Sequence, residues 1–158
     1  MHDLIGDRGE AIFMVVVTRG YLFRKPRHFG EKMPVVDYYV EPVRKTAHPL
    51  FFLVQVKSTT RGYTLRDKRL KVAVASDEMQ RLAAYPAPTY VVGIDVPAEL
   101  GYIVSANGET VTGFSSMCTD HPLTADVLAV LRAEVESYWN TGPAAFSSAF
   151  LDPAWRQP

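Results

Sequence analysis

The run Leu50-Phe51-Phe52-Leu53-Val54-Gln55-Val56-Lys57-Ser58 constrains the fold more than any other stretch of the chain. It is strongly apolar and reads as a buried strand, with an amide and an amine two residues apart at its far end. Side chains alternate along a strand, so Gln55 and Lys57 point to one face. Placing them beside Phe51, Phe52, Leu53 and Val54 costs free energy unless something polar receives them. A site at the end of a central strand is one economical explanation.

The segments around this run set its context. Ile5, Ile12, Phe13, Val16 and Val17 recur at helical spacing, with Glu10 inside the helix and Gly20 at its C-cap. Tyr21 to Lys25 reads as a short strand and Pro26 to Pro34 as a loop. Val35 to Val43 reads as a strand that Pro42 ends or places at an edge. Arg44 to Pro49 forms a loop, and Leu50 to Thr59 follows as the central strand. Lys71 to Ala75 reads as a brief strand, Ser76 as an N-cap, and the helix after it stops near Tyr85 at Pro86 and Pro88. Thr89 to Val96 reads as a buried strand. Tyr102 to Ser105 and Thr110 to Phe114 flank Asn107-Gly108, a hairpin turn pair. Thr124 caps an amphipathic helix from Ala125 to about Trp139 that carries Val127, Leu128, Leu131, Val135 and Tyr138. Gly142-Pro143 stops it. This order predicts an α/β fold with a mixed central β-sheet flanked by helices and a helical C-terminal extension. Residues 1–142 form the domain. Residues 143–158 form a tail whose Phe146, Phe150 and Trp155 dock on the domain or on a partner.

Composition narrows the chemistry. With 158 residues the chain fits one domain. Its formal net charge is zero, so no global positive field advertises nucleic acid. Nucleic-acid contact would rest on a local patch, and Arg61, Arg66, Lys68, Arg69 and Lys71 supply the one clear basic cluster. The single cysteine, Cys118, leaves no internal disulfide and argues against a cysteine-rich zinc site. His2, His28, His48 and His121 show no ligand-like spacing. Ser115-Ser116, Ser147-Ser148 and Cys118 lack a base partner in any recognisable motif, which argues against a hydrolytic triad. The first residues lack the basic flank and apolar stretch of a signal peptide, and the apolar runs fall short of a membrane span. A soluble cytoplasmic protein without membrane contact is expected.

Three pieces can converge on one site. Asp37, Tyr39 and Glu41 share a face of one strand, Gln55 and Lys57 share a face of the next, and Glu10 projects from a helix that can pack over both. Asp37 and the Gln55 side-chain oxygen, with a backbone carbonyl near Val56, suit a hard cation such as magnesium. Lys57 would hold an attacking water or neutralise a phosphate. Glu41, just before Pro42, reads as a structural or solvated acid.

Gly6-Asp7-Arg8-Gly9-Glu10, Asp37-Tyr38-Tyr39-Val40-Glu41 and Gln55-Val56-Lys57-Ser58 resemble the DUF4365 family of restriction-endonuclease-like PD-(D/E)XK nucleases. The resemblance covers roughly residues 3 to 105. It departs from the family pattern at Lys32-Met33-Pro34-Val35-Val36, where members often carry an acid and a glycine. The resemblance implies a restriction-endonuclease-like core and a nuclease that hydrolyses phosphodiester bonds in DNA with Mg2+, for which Mn2+ would substitute. It implies active-site roles for Glu10, Asp37, Gln55 and Lys57, with Asp37, Gln55 and Glu10 at the metal. Such a nuclease would serve prokaryotic DNA processing or defence. Two other readings stand beside it: a catalytically inactive nuclease-like fold that binds nucleic acid or protein, and a homodimer formed through the C-terminal aromatic tail.

Overall fold

The opening helix forms where the apolar spacing demands it. In the computed structural model, which describes residues 2–30, 33–44 and 48–155, α1 spans His2–Thr18. Ile12, Phe13, Val16 and Val17 are all buried along one stripe, whereas Val15 on the far side is exposed. Three consecutive valines lower helix propensity, and burial of the stripe outweighs that deficit. Gly9 is required by contact: a Cβ there would lie 1.7 Å from Ser58 Oγ on the strand beneath. The missing side chain lets α1 rest directly on the sheet. The helix ends at Thr18, and the left-handed residue after it is Tyr21 (φ 58°), not the expected Gly20.

Among the described residues five strands follow: β1 (Arg27–His28), β2 (Tyr38–Val40), β3 (Phe52–Thr59), β4 (Thr89–Asp95) and β5 (Leu100–Ser105). They lie side by side in chain order. β1–β2, β2–β3 and β4–β5 pair antiparallel, and β3–β4 pair parallel. The parallel pair needs a crossover, which carries α2 (Ser76–Ala83). After β5 comes α3 (Ala125–Thr141), capped by the Thr124 hydroxyl on Val127 N (3.3 Å) and closed at Gly142 (φ 90°). The chain is thus a mixed α/β fold with a five-stranded mixed sheet flanked by helices.

Each face of the sheet has its own core. On one, α1 and α3 pack Phe13, Val17, Leu131 and Val135 against Tyr38, Val54, Tyr90 and Val92. On the other, α2 and the loops place Met79, Leu82, Leu70, Val74, Met117 and Trp155 against Leu53, Val91 and Val104. β3 is the middle strand, as its apolar run implied, and β4 is buried along its whole length. The outer edge of β5 is covered: Ile103 N donates to His121 O (3.0 Å), Leu123 N to Gly101 O (2.8 Å) and Ser105 N to Phe150 O (2.7 Å). Phe150 and Trp155 are buried on their own chain, and the Phe146 ring lies 5.2 Å from Tyr138. Among the described residues no helix is long and apolar enough to cross a membrane.

Several expected elements differ. Tyr21 to Lys25 makes only the isolated bridge Phe23–Pro42, and the edge strand is Arg27–His28 within the expected loop. The strand expected over Val35 to Val43 shrinks to three residues, because Val35 adopts φ 60° and turns the chain just before it. The loop expected over Arg44 to Pro49 falls partly outside the described residues, as do Lys32 and the last three tail residues. Lys71 to Ala75 contributes a bridge at Val74 and no strand. Ser76 is not the N-cap: Ala75 is, without a side-chain bond, and Ser76 Oγ accepts from Gly113 N (3.2 Å). Asn107-Gly108 makes no hairpin turn. Asn107 Oδ1 accepts from Thr89 N (2.9 Å), Val74 pairs with Phe114 instead, and residues 96–99 turn β4 into β5.

Candidate functional site

The two central antiparallel strands separate after a short ladder. β2 pairs with β3 only from Phe52 to Val54. The last main-chain bond of this pairing runs from Asp37 N to Val54 O (3.0 Å), and Asp37 O accepts from Phe29 N (3.2 Å). Asp37 therefore sits one residue before β2, held on both sides by its backbone. The next position of the ladder is filled by its side chain: Val56 N donates to Asp37 Oδ2 (2.7 Å). The C=O of a strand residue points to the same edge as its N–H, so the Val56 carbonyl faces this fork. Beyond Val54, β3 continues to Thr59 with β4 on one side and the fork on the other.

Gln55 and Lys57 lie on one face of β3, as alternation requires, and both reach Glu78 in the first turn of α2. Gln55 Nε2 donates to Glu78 Oε2 (3.2 Å), and Lys57 Nζ lies 3.4 Å from the same oxygen. Gln55 is only 6% exposed. Its Oε1 is buried without a hydrogen-bond partner, the one such side-chain atom among the described residues. An orphaned buried carbonyl oxygen is a cost that folding ordinarily avoids.

Glu10 comes from α1, set against β3 by the Gly9–Ser58 contact. Its Oε2 accepts from Tyr38 Oη (2.8 Å). Burial and that carboxylate push the Tyr38 hydroxyl well above its ordinary pKa, which keeps it a donor. The Asp37 carboxyl is also shifted upward. Burial is the main cause, the Val56 N–H opposes it, the Glu10 charge adds to it, and the Lys57 and His28 charges reduce it. The charges of Glu10 and Lys57 thus both act on Asp37, Glu10 from the α1 side of the sheet, while Gln55 and Lys57 meet Glu78 on the α2 side.

His28 joins them from β1, its ring 5.4 Å from that of Tyr38 and its Nδ1 accepting from Gly30 N (3.0 Å). Neither His28 nor Glu78 stands out in the sequence as a site residue. Glu78 reads there as part of a helix-start signal. The available clue is topological: a crossover helix between parallel strands packs over their face, so its first turn can overhang β3. Glu41 partners the Tyr39 hydroxyl, whose pKa burial and that carboxylate push up to about 12.

The basic cluster divides. Residues 62–71 form a small hairpin closed by Thr64 N on Arg69 O (2.8 Å) and Lys71 N on Gly62 O (3.0 Å). It leans toward β5, where Tyr63 and Tyr102 share a hydroxyl hydrogen bond of 2.7 Å. Arg69 is committed to structure: it donates to Ser116 O (2.7 Å), Ser116 Oγ (3.0 Å) and both oxygens of Asp152. Arg61, Arg66 and Lys68 are exposed, and Lys71 is half-buried. A groove of about 630 Å³ lies between this hairpin and the C-terminal segment, lined by Arg69, Ser116, Cys118, Asp152 and Trp155. Its ion pair is already made, and burial pushes the Cys118 thiol up to about 11, away from the thiolate form. The unsatisfied buried side-chain atom lies elsewhere, on Gln55 beside the fork.

Among the described residues, no three His, Cys, Asp or Glu side chains gather in a way that could hold a metal ion. The fork itself holds the Asp37 carboxylate and the Val56 carbonyl; the unpartnered Gln55 Oε1 belongs to the preceding residue of β3, and the Glu10 carboxylate is bound by Tyr38 on the α1 side of the sheet. This all-oxygen set suits a hard cation such as Mg2+, which uses few protein ligands and keeps several waters. The orphaned Oε1 is the point where the residues present fit such an ion. Comparison with protein-family models, with curated proteins and with solved structures gives no match.

Proposed function

We propose that this chain is a Mg2+-dependent nuclease of the PD-(D/E)XK type that hydrolyses phosphodiester bonds in DNA, in prokaryotic DNA processing or defence. The observation that carries this reading is the buried, unpartnered Oε1 of Gln55, the residue before the Val56 N–H that binds Asp37, on the same strand face as Lys57. The order of parts supports it: a glutamate on the first helix, an aspartate at the start of β2 and a Gln-x-Lys pair on β3, as in the DUF4365 pattern. The restriction-endonuclease-like core belongs to the same reading.

Asp37, Gln55 Oε1 and the Val56 carbonyl would hold the ion, with Glu10 behind them. When bound, Mg2+ polarises a phosphoryl oxygen and lowers the pKa of water. Lys57 is a three-donor cation half-open to solvent, suited to orient a water or neutralise a phosphate. Tyr38 holds Glu10 in place. Arg61, Arg66 and Lys68 are exposed cations available to a phosphate backbone. A DNA nicking assay with Mg2+ tests this. Wild type cleaves, and Asp37→Ala and Lys57→Ala lose the activity; equal cleavage by all three would sink the reading.

The alternative is a nuclease-like fold that binds without cleaving. It is favoured by the ion pair that already engages Lys57 with Glu78. Manganese titration separates the two: no binding and no cleavage of any nucleic acid would favour the alternative.

A further inference from the structure

The amide at position 55 is a neutral ligand where a carboxylate would bring more charge to a cation. Glu78 accounts for it. Its Oε2 lies 3.2 Å from Gln55 Nε2 and 3.4 Å from Lys57 Nζ. A carboxylate only accepts hydrogen bonds, so the end of the Gln55 amide that faces Glu78 is the NH2 group. The carbonyl oxygen is then turned the other way, and that is the buried atom with no partner. A glutamate at 55 would instead face Glu78 carboxylate to carboxylate, and the two would repel.

We infer that Glu78 is the positioning residue of the fork: it fixes the Gln55 amide with Oε1 free for a cation, holds the Lys57 ammonium, and supplies from behind the negative charge that an amide lacks. The inference rests on the metal-site reading above. Glu78 acts through its two neighbours and touches neither ion nor substrate. Outer groups that orient ligands in this way typically change metal affinity by about 10- to 100-fold when removed.

The test uses the full chain with Mn2+ as the probe, titrated by calorimetry, together with the side-chain amide resonances of Gln55 in 15N-labelled, metal-free protein. Glu78→Ala is expected to move the Gln55 amide resonances and weaken Mn2+ binding by about 10- to 100-fold. Glu78→Gln, whose carbonyl still accepts from Gln55, keeps the amide oriented and recovers part of the affinity. The exchange Gln55→Glu with Glu78→Gln restores the hydrogen bond with reversed polarity, and binds Mn2+ at least as tightly as wild type. Unmoved Gln55 resonances in Glu78→Ala, or unchanged Mn2+ affinity, overturn the role of Glu78 while leaving metal binding intact. Absence of Mn2+ binding by wild type overturns the metal-site reading itself, and the charge role with it.

Discussion

Two buried polar clusters in this molecule are treated in opposite ways. At the first, Glu134 on α3 accepts from Tyr90 Oη, Ser148 Oγ (2.7 Å) and Ala149 N (3.0 Å). Burial raises its pKa, and the three donors and the His121 charge pull it back. That carboxylate ties β4, α3 and the C-terminal segment together. At the second, the fork, Gln55 Oε1 has no donor at all. Buried polar groups in native proteins are satisfied as a rule, so the completed cluster reads as architecture, and the incomplete one is where the proposed ion would complete the set.

The sharpest way to break this contrast is to damage both clusters and compare the losses. Glu134→Ala strands two buried hydroxyl donors and a part-buried N–H, and at about 1–3 kcal/mol per buried unsatisfied group should cost about 2 kcal/mol or more of stability. Urea unfolding measures it, and a loss under about 1 kcal/mol would mean that the cluster is not structural. Asp37→Asn should behave in reverse. An amide oxygen can still accept from Val56 N, and the change removes a charge that burial disfavours. Its melting temperature should hold or rise while the proposed DNA cleavage falls by about 10²-fold or more. Ionisation of Asp37 takes stability away as pH rises above the ordinary value of 3.8, so the gain from asparagine should appear above that pH.

A smaller effect tests how Glu10 is delivered to the fork. Gly9→Ala drives a methyl into Ser58 and should cost about 1–3 kcal/mol. Adding Ser58→Gly should recover most of it, and a double variant no better than the single would show that the strain lies elsewhere. The smallest effect is a change of slope. Burial pushes the Asp152 pKa up, but the Arg69 hydrogen bonds, the Ala154 N–H and the Arg69 charge more than offset this, and the net shift is downward. Its contribution is therefore present above the ordinary value of 3.8 and is lost as pH falls below it. Asp152→Asn should flatten acid unfolding in that window, and an unchanged slope would show that the pair contributes no pH dependence.

Much of the frame was legible in the chain because local physics and tertiary placement agree there. The apolar run at Leu50 is the middle strand, the Thr124 cap starts α3, and alternation puts Gln55 and Lys57 on one face. The rest depended on contacts that no local pattern encodes. Arg69 looks like one cation of a basic loop, and its partner Asp152 stands 83 residues away. Asn107-Gly108 has the composition of a hairpin turn, yet the Asn107 side chain is drawn back to Thr89. Glu78 reaches the fork only because the crossover carries α2 over β3.

The sheet's two rims have a consequence for the protein in company. β1 is two residues long, and both Arg27 and His28 are exposed. Along β5, residues of the chain's own later segments already occupy the outward backbone groups of Gly101, Ile103 and Ser105. Among the described residues, neither rim presents a long, flat row of unpaired amides and carbonyls. Among the described residues, then, the two rims give crowded copies of this chain no template for strand-by-strand polymerisation.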